Sequence, residues 1–298
     1  FSAAPPSMNA PLLEVLPRDL SANRAGNTGV PYVHRFDSGR PGPHVLINAL
    51  THGNELCGMV AATHLLDSGV RPQVGTLTVS LAHVEAYEAF RHDAPFANRE
   101  LRPVVAAADH ILDIHSTSQP VAPFWVYPGF ERNARAARAI GARDRVTTHL
   151  VMPAGLGSGT PLIQHGRHGR ADGTDGVALV VECGQHFLKA SAELATAVTL
   201  DFLAHFGLIA PAAPASAPAV AQRRFELLQT CMVRTPQFRF ARPLIGFETF
   251  AKDELIATDG DAGDIRAPCD DCTVLMPTRE PIVGREAVYL TRPLVDPK

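Results

Sequence analysis

The sequence predicts an α/β protein: a three-layer sandwich built on a mixed, mostly parallel sheet, followed by a small all-β module. Three observations carry this prediction. Short aliphatic and β-branched runs at 45–47, 77–81, 111–114 and 177–181 alternate with stretches of helical periodicity, as at 56–66 and 187–206. Several of these runs stop abruptly at a histidine or a glutamate, as buried parallel strands do when they deliver side chains to one edge of a sheet. The composition then changes at Pro211-Ala212-Ala213-Pro214-Ala215-Ser216-Ala217-Pro218, a semi-rigid spacer, beyond which short β-type segments are separated by Gly, Pro and Asp. The expected division is therefore a main domain over 1–210, a linker over 211–222 and a β module over 223–298. A chain of 298 residues with 46% hydrophobic content can bury a core in each part.

Taken in order, residues 1–30 are rich in Pro, Asn and Ala and are expected to wrap the surface as irregular structure. Residues 32–36 read as a strand, turned back through Asp37-Ser38-Gly39 into a hairpin with the strand at 45–47, which Pro41-Gly42-Pro43 bounds upstream. That strand empties into Thr51-His52-Gly53-Asn54-Glu55. A helix starting near Glu55 would put His52 and Glu55 on one first turn at i and i+3, with Gly53 letting the backbone turn. Leu56, Met59, Val60, Thr63 and Leu66 continue the helical spacing, which ends before Gly69. Residues 77–81 form the next buried strand, and 111–114 lead into His115-Ser116-Thr117. Residues 124–127 read as a strand and 132–145 as an Ala/Arg-rich surface helix whose charges form a solvated face. The glycine-rich stretch 155–160 lacks both the Lys-Ser/Thr of a phosphate loop and dinucleotide spacing, and is expected to be a flexible loop near the site. His165 and His168 are expected in solvent and His186 near the pocket, and the helix at 187–206 ends at Gly207.

The strand ends define the chemistry. His52, Glu55 and His115 supply two imidazoles and one carboxylate, leaving a fourth position to water. That set suits a hydrolytic zinc site, one ion per chain, better than a closed structural one. A hydrogen-bonded core histidine is the competing reading for His115. Glu182 ends the apolar run 177–181, and a carboxylate there is costly unless it is paired, hydrated or facing a site, which makes it a candidate general base; a strand-end surface glutamate is the alternative. Asp113 shares the strand face of His115 and is either its hydrogen-bond partner or an ordinary buried aspartate. The polar, Pro-punctuated stretch 89–99 is a candidate functional loop.

Other features exclude partners. A net charge of −3 with scattered arginines offers no footprint for nucleic acid or an anionic membrane. No apolar run reaches membrane-spanning length, and residues 1–6 lack the basic and apolar regions of a secretory leader. Five cysteines, an odd number placed largely at apolar positions, fit a reducing compartment, so the cytoplasm is expected. Cys269 and Cys272 have the spacing of half a zinc ribbon, but no second pair completes it. The oligomeric state stays open, a homo-oligomer included.

Thr51-His52-Gly53-Asn54-Glu55, Asp113-Ile114-His115-Ser116-Thr117 and Val181-Glu182-Cys183-Gly184, in that order, resemble the succinylglutamate desuccinylase/aspartoacylase family, relatives of the zinc carboxypeptidases. The resemblance runs from about Pro31 into the C-terminal module, and the three motifs are specific together although each alone is not. It implies a zinc carboxypeptidase-like amidohydrolase acting on a small N-acyl amino acid or related compound. By the same likeness Arg91 would polarise the scissile carbonyl, while Asn98 and Arg99 would hold a substrate carboxylate. Phe96 stands where the family usually has Asp. Segments 264–268 and 274–277 resemble the family's barrel-sandwich module; the Met276 turn lacks the lysine of a lipoyl or biotinyl carrier, so a lid or packing role is expected. The alternatives are a metallocarboxypeptidase acting on peptides and a metal-containing binding protein without catalysis. The β module disfavours the first by narrowing the entrance, and Glu182 disfavours the second.

Overall fold

The structure is a computed structural model that describes residues 13–90, 101–141, 146–153, 161–172, 175–211 and 221–294. In chain order its main elements are β1 (Val33–Asp37), β2 (His44–Ala49), α1 (Leu56–Asp67), β3 (Thr76–Leu81), α2 (Val84–Glu88), α3 (Arg102–Ala107), β4 (His110–Thr117), β5 (Phe124–Pro128), α4 (Glu131–Gly141), β6 (Thr148–Met152), β7 (Ala178–Gln185) and α5 (Lys189–His205). The C-terminal part adds β8 (Arg223–Met232), β9 (Phe238–Phe240), β10 (Thr249–Phe250), β11 (Leu255–Asp259), β12 (Asp264–Arg266), β13 (Cys272–Leu275) and β14 (Glu286–Leu294). The large sheet runs β1-β3-β2-β4-β7-β5-β6-β8-β14-β13-β10, and β12-β11-β9 form a small second sheet.

The centre of the large sheet is parallel, with β3, β2, β4 and β7 side by side. These strands are buried on both faces, and their period-two alternation sorts side chains into two cores. Val45, Ile47 and Ala49 of β2, Leu112 and Ile114 of β4, Trp125 and Tyr127 of β5, and Leu179 and Val181 of β7 face α1, α4 and α5. Leu46, Ile111, Phe124, Val126, Ala178 and Val180 face the other way, against Val105 of α3, Ile163, Leu227 of β8 and Leu275 of β13. One face thus carries a layer of helices, and the other carries a short helix, a 3-10 turn and part of the β module. The helical layer is tight because α5 presents Ala192, Ala195 and Val198 among its buried residues, while its fully buried Phe202 contributes on the order of 1.5–3 kcal/mol by leaving water.

One expectation changes. The strand at 32–36 does not hairpin with β2; β1 pairs antiparallel with β3. The reason is burial. β2 is apolar on both faces and takes parallel neighbours on both edges, whereas β1 alternates between buried and more exposed positions, as suits the edge of a sheet. The helix α4 keeps Glu131 and Arg135 exposed on a charged face, as expected, over buried Ala134, Ala136, Ala137 and Ile140, and only Arg132 departs from that face. The Arg132 guanidinium turns inward, donating to the carbonyls of Gly176 and Arg170 at 2.7 and 2.6 Å.

β8 joins the main sheet by parallel pairing with β6. Beyond it the β module has its own apolar centre, with Phe238, Phe250, Ile256, Val274 and Val288 buried together. All five cysteines are free thiols. Among the described residues no helix is long and apolar enough to cross a membrane.

Candidate metal centre

β2, β4 and β7 are adjacent and parallel, so their C-terminal ends open at one edge of the sheet. Asn48, Asp113, His115 and Glu182 continue the alternation on the face that carries Leu46, Ile111 and Val180, so polar side chains replace the apolar core over the last turn of that face. His115 and Glu182 are direct register partners across β4 and β7.

The ligand candidates meet there. At the end of β2, Leu50 is buried in a left-handed conformation with φ of 59°, a strained position for a branched residue that turns the chain out of the sheet. His52 follows in the turn, and Glu55 occupies the N-cap position of α1. The pair therefore precedes the helix instead of lying on its first turn. Glu55 is 1% exposed, and its Oε1 lies 2.9 Å from His52 Nδ1 and 3.1 Å from His115 Nδ1. One ligand atom from each of the three residues lies within 4.8 Å of the others, and among the described residues no other His/Cys/Asp/Glu group meets that condition. Gly53 lies in the turn, as expected, though without a positive φ. A Cβ there would sit 2.2 Å from the Ala86 carbonyl, so glycine is required for α2 to pack against the ligand turn.

The surroundings orient these rings. The His115 Nε2 atom lies 2.9 Å from Asp113 Oδ2, though not aligned as an ideal hydrogen bond. Nδ1 is thereby left to face Glu55 and His52. The other Asp113 oxygen, Oδ1, accepts from Asn48 Nδ2 at 2.8 Å and Thr51 Oγ1 at 3.1 Å. Asp113 is thus a buried brace that ties β4 to β2 and holds the His115 ring.

Burial opposes ionisation of Glu55, but the adjacent His115 and His52 rings outweigh it and hold the carboxyl well below its usual range. Burial likewise opposes protonation of His115, and Glu55 and Asp113 outweigh it, raising that ring well above its ordinary value. Glu182 behaves in the opposite way. Burial pushes its carboxyl up to about 8, His115 offsets this in part, and Glu55 and Asp113 add to the rise. Among the described residues its buried Oε2 has no hydrogen-bond partner, a costly state for a carboxylate that serves only packing. Two imidazole nitrogens, one carboxylate and a nearby uncommitted carboxylate fit a cation of the zinc type, which accepts nitrogen and oxygen donors in this number.

Other sequence expectations fare differently. Arg91, Asn98 and Arg99 lie outside the described residues, as does the glycine-rich stretch 155–160. His168 is not in solvent: it is 1% exposed, with Nε2 placed 3.2 Å from the Ala108 carbonyl oxygen. His165 is half-buried, and His186 is buried with Nδ1 2.9 Å from Ser116 Oγ. The sequence reading missed Asn48 and Thr51. A single buried amide at the end of an otherwise apolar strand was the available signal for Asn48.

The chain matches no family model and no curated protein. Solved structures share its fold. A succinylglutamate desuccinylase from Vibrio cholerae is 16% identical over 87% of this chain and 84% of its own, with a TM-score of 0.66. A succinylglutamate desuccinylase/aspartoacylase from Rhodobacter sphaeroides is 19% identical over 86% of this chain and 87% of its own, with a TM-score of 0.61. The product-bound ectoine utilization protein EutE (DoeB) from Ruegeria pomeroyi is 13% identical over 91% of this chain and 92% of its own, with a TM-score of 0.59.

Proposed function

We propose that this chain, which shares its fold with succinylglutamate desuccinylase and aspartoacylase structures, is a zinc-dependent hydrolase that cleaves the amide bond of a small N-acyl amino acid or related compound. The observation that carries the reading is the convergence of His52, Glu55 and His115 within 4.8 Å at one strand edge, with Glu182 in register beside His115. His52 and His115 would each offer Nδ1 and Glu55 its carboxylate to a single ion. When bound, zinc supplies Lewis acidity toward water and the scissile carbonyl. The chain's own residues do the rest. Glu182, whose Oε2 has no hydrogen-bond partner among the described residues, takes the proton from the attacking water and passes it to the leaving nitrogen. Asp113, 2.9 Å from His115 Nε2, would leave Nδ1 as the nitrogen offered to the ion. Arg91 stabilises the developing oxyanion, and Asn98 with Arg99 grips a substrate carboxylate; these three roles rest on the family resemblance of their segment.

The test is direct. Purified protein is assayed for metal by elemental analysis and screened against a panel of N-acyl amino acids, ectoine-derived and short-peptide substrates. One zinc per chain together with release of a free amine from an N-acyl amino acid is expected. A protein that takes up no divalent metal, or whose turnover is indifferent to a chelator, would overturn the reading.

A further inference from the structure

Ser116 and His186 meet beside the metal centre, each 3% exposed, with Ser116 Oγ 2.9 Å from His186 Nδ1. The contact depends on an irregularity in the sheet. Between the pairs His115↔Glu182 and Thr117↔Gln185, β4 advances two residues while β7 advances three. The extra residue is accommodated around Gly184, which has a φ of 105°. A single inserted residue exchanges the faces of everything that follows. His186, which would otherwise share the face of Glu182, is thereby carried to the face of Ser116. The register is then pinned by the His186 backbone N–H, which donates to the Thr117 carbonyl at 3.0 Å.

The same short peptide is held from the helix side. The Cys57 thiol of α1 reaches the His115 carbonyl at 3.4 Å, and the Ser116 backbone N–H points at Glu55 Oε1 at a long 3.5 Å. The backbone that carries His115 therefore lies between α1 and β7, and His186, in the turn just past β7, is the side chain that reaches it from that side. The Phe187 ring packs against the His186 ring, 5.6 Å between centroids.

We propose that His186, acting through Ser116, is a positioning residue that sets the His115–Ser116 peptide and so tightens metal binding. The proposal rests on the metal centre assigned above and concerns no proton transfer. Because the contact uses Nδ1, asparagine is the substitution that keeps a hydrogen-bonding atom at that position, whereas glutamine places its amide nearer Nε2.

The experiment measures zinc affinity by chelator competition, and melting temperature in metal-free buffer, for the unmodified chain, S116A, H186A, H186N, H186Q and the S116A/H186A pair. S116A and H186A are each expected to weaken zinc binding about 10-fold, the low end of what loss of a supporting contact costs a metal site. The double variant should lose about the same 10-fold and not the product, because both changes remove one contact. H186N should recover most of the affinity and H186Q little. Unchanged affinity in H186A, multiplicative losses in the double variant, or no recovery in H186N would each overturn the positioning role. So would lower melting temperatures with unchanged affinity, the pattern of a purely structural contact. An unmodified chain that binds no zinc would overturn the metal centre itself and this proposal with it; tight zinc binding that is indifferent to His186 overturns the positioning role alone.

Discussion

Asp113 offers the sharpest test of how the centre is built, because one carboxylate holds three groups at once. Oδ2 lies 2.9 Å from His115 Nε2, while Oδ1 accepts from Asn48 at 2.8 Å and from Thr51 at 3.1 Å. Replacing Asp113 with Ala strips all three of a partner in a buried place. Asn48 and Thr51 keep a bond to each other at 3.0 Å, so the cost to folding is below the sum of separate losses, about 2–4 kcal/mol against the usual 1–3 kcal/mol for each unsatisfied buried group. The His115 ring loses the anchor that directs Nδ1 toward Glu55, and zinc affinity should fall about 10- to 100-fold. Asp113→Asn separates the two effects. Among the described residues the buried Asn48 Oδ1 atom has no partner, so that amide can turn to accept from the NH2 group the substitution introduces, while the remaining side-chain oxygen keeps facing His115. Folding should stay close to that of the unmodified chain, and zinc affinity should drop about 10-fold from loss of charge alone. Chelator competition gives the affinities, and urea unfolding without metal gives the stabilities. If Asp113→Ala binds zinc as tightly as the unmodified chain while His115→Ala does not bind it, the claim that Asp113 orients His115 is refuted.

Glu55→Ala should empty the site by elemental analysis, since it removes the one carboxylate among the three donors; metal content equal to that of the unmodified chain would remove Glu55 from the ligand set. Glu182→Gln should keep its metal and lose turnover by roughly 10²-fold or more, the share that general-base catalysis supplies, and a fully active variant would end the proposed role. The sheet's opposite edge predicts an acid limit to stability. Burial pushes His110 and His168 down to about 4, and His110 Nδ1 accepts the Val177 N–H at 3.2 Å, which requires a neutral ring. The unfolded chain binds these protons near 6.5 and the native chain near 4, so their contribution is complete above pH 6.5 and is lost as pH falls toward 4. The loss is on the order of 2–4 kcal/mol for the two rings after allowance for partial exposure; urea melts of the unmodified chain and of His110→Asn, His168→Asn across that range should show the shallower slope in the variants. Once a substrate is found, amidating its carboxylate or changing Arg99 to Ala should each lower kcat/KM about 10- to 150-fold, and equal efficiency on acid and amide would place specificity elsewhere.

What could be read from the sequence follows from how local the signals are. β2, β4 and β7 are apolar on both faces over most of their length and carry or precede a His or Glu near their C-terminal ends, so strand identity and the edge that bears the candidate site were written within short windows. The partner of β1 was not, because pairing is a long-range choice. Its Val33–Asp37 segment reads equally well as a hairpin with β2, and only the competition of β4 for the other edge of β2 sends it to β3. His168 was misplaced for a related reason. Gly and Arg neighbours look like solvent-exposed loop, yet a 3-10 turn carries its ring onto the Ala108 carbonyl.

The site itself divides along the same line. The motifs pointed to the candidate donors because each lies near the end of its strand or in the turn that leads into α1. The parts that orient those donors are legible only in three dimensions. Asn48 and Asp113 are 65 positions apart and Ser116 and His186 are 70 apart, and neither pair has a periodicity that links it. The strongest constraint is the least visible. A glycine at 184 looks like an ordinary strand terminus after Glu182, but the residue inserted around it leaves Glu182 on the His115 face while sending His186 to the opposite one. Had the chain run on in regular register, His186 would share the Glu182 face instead of meeting Ser116. The bulge therefore places the Glu182 carboxylate on the His115 side of the sheet and the His186 imidazole, just past β7, against Ser116 beside it.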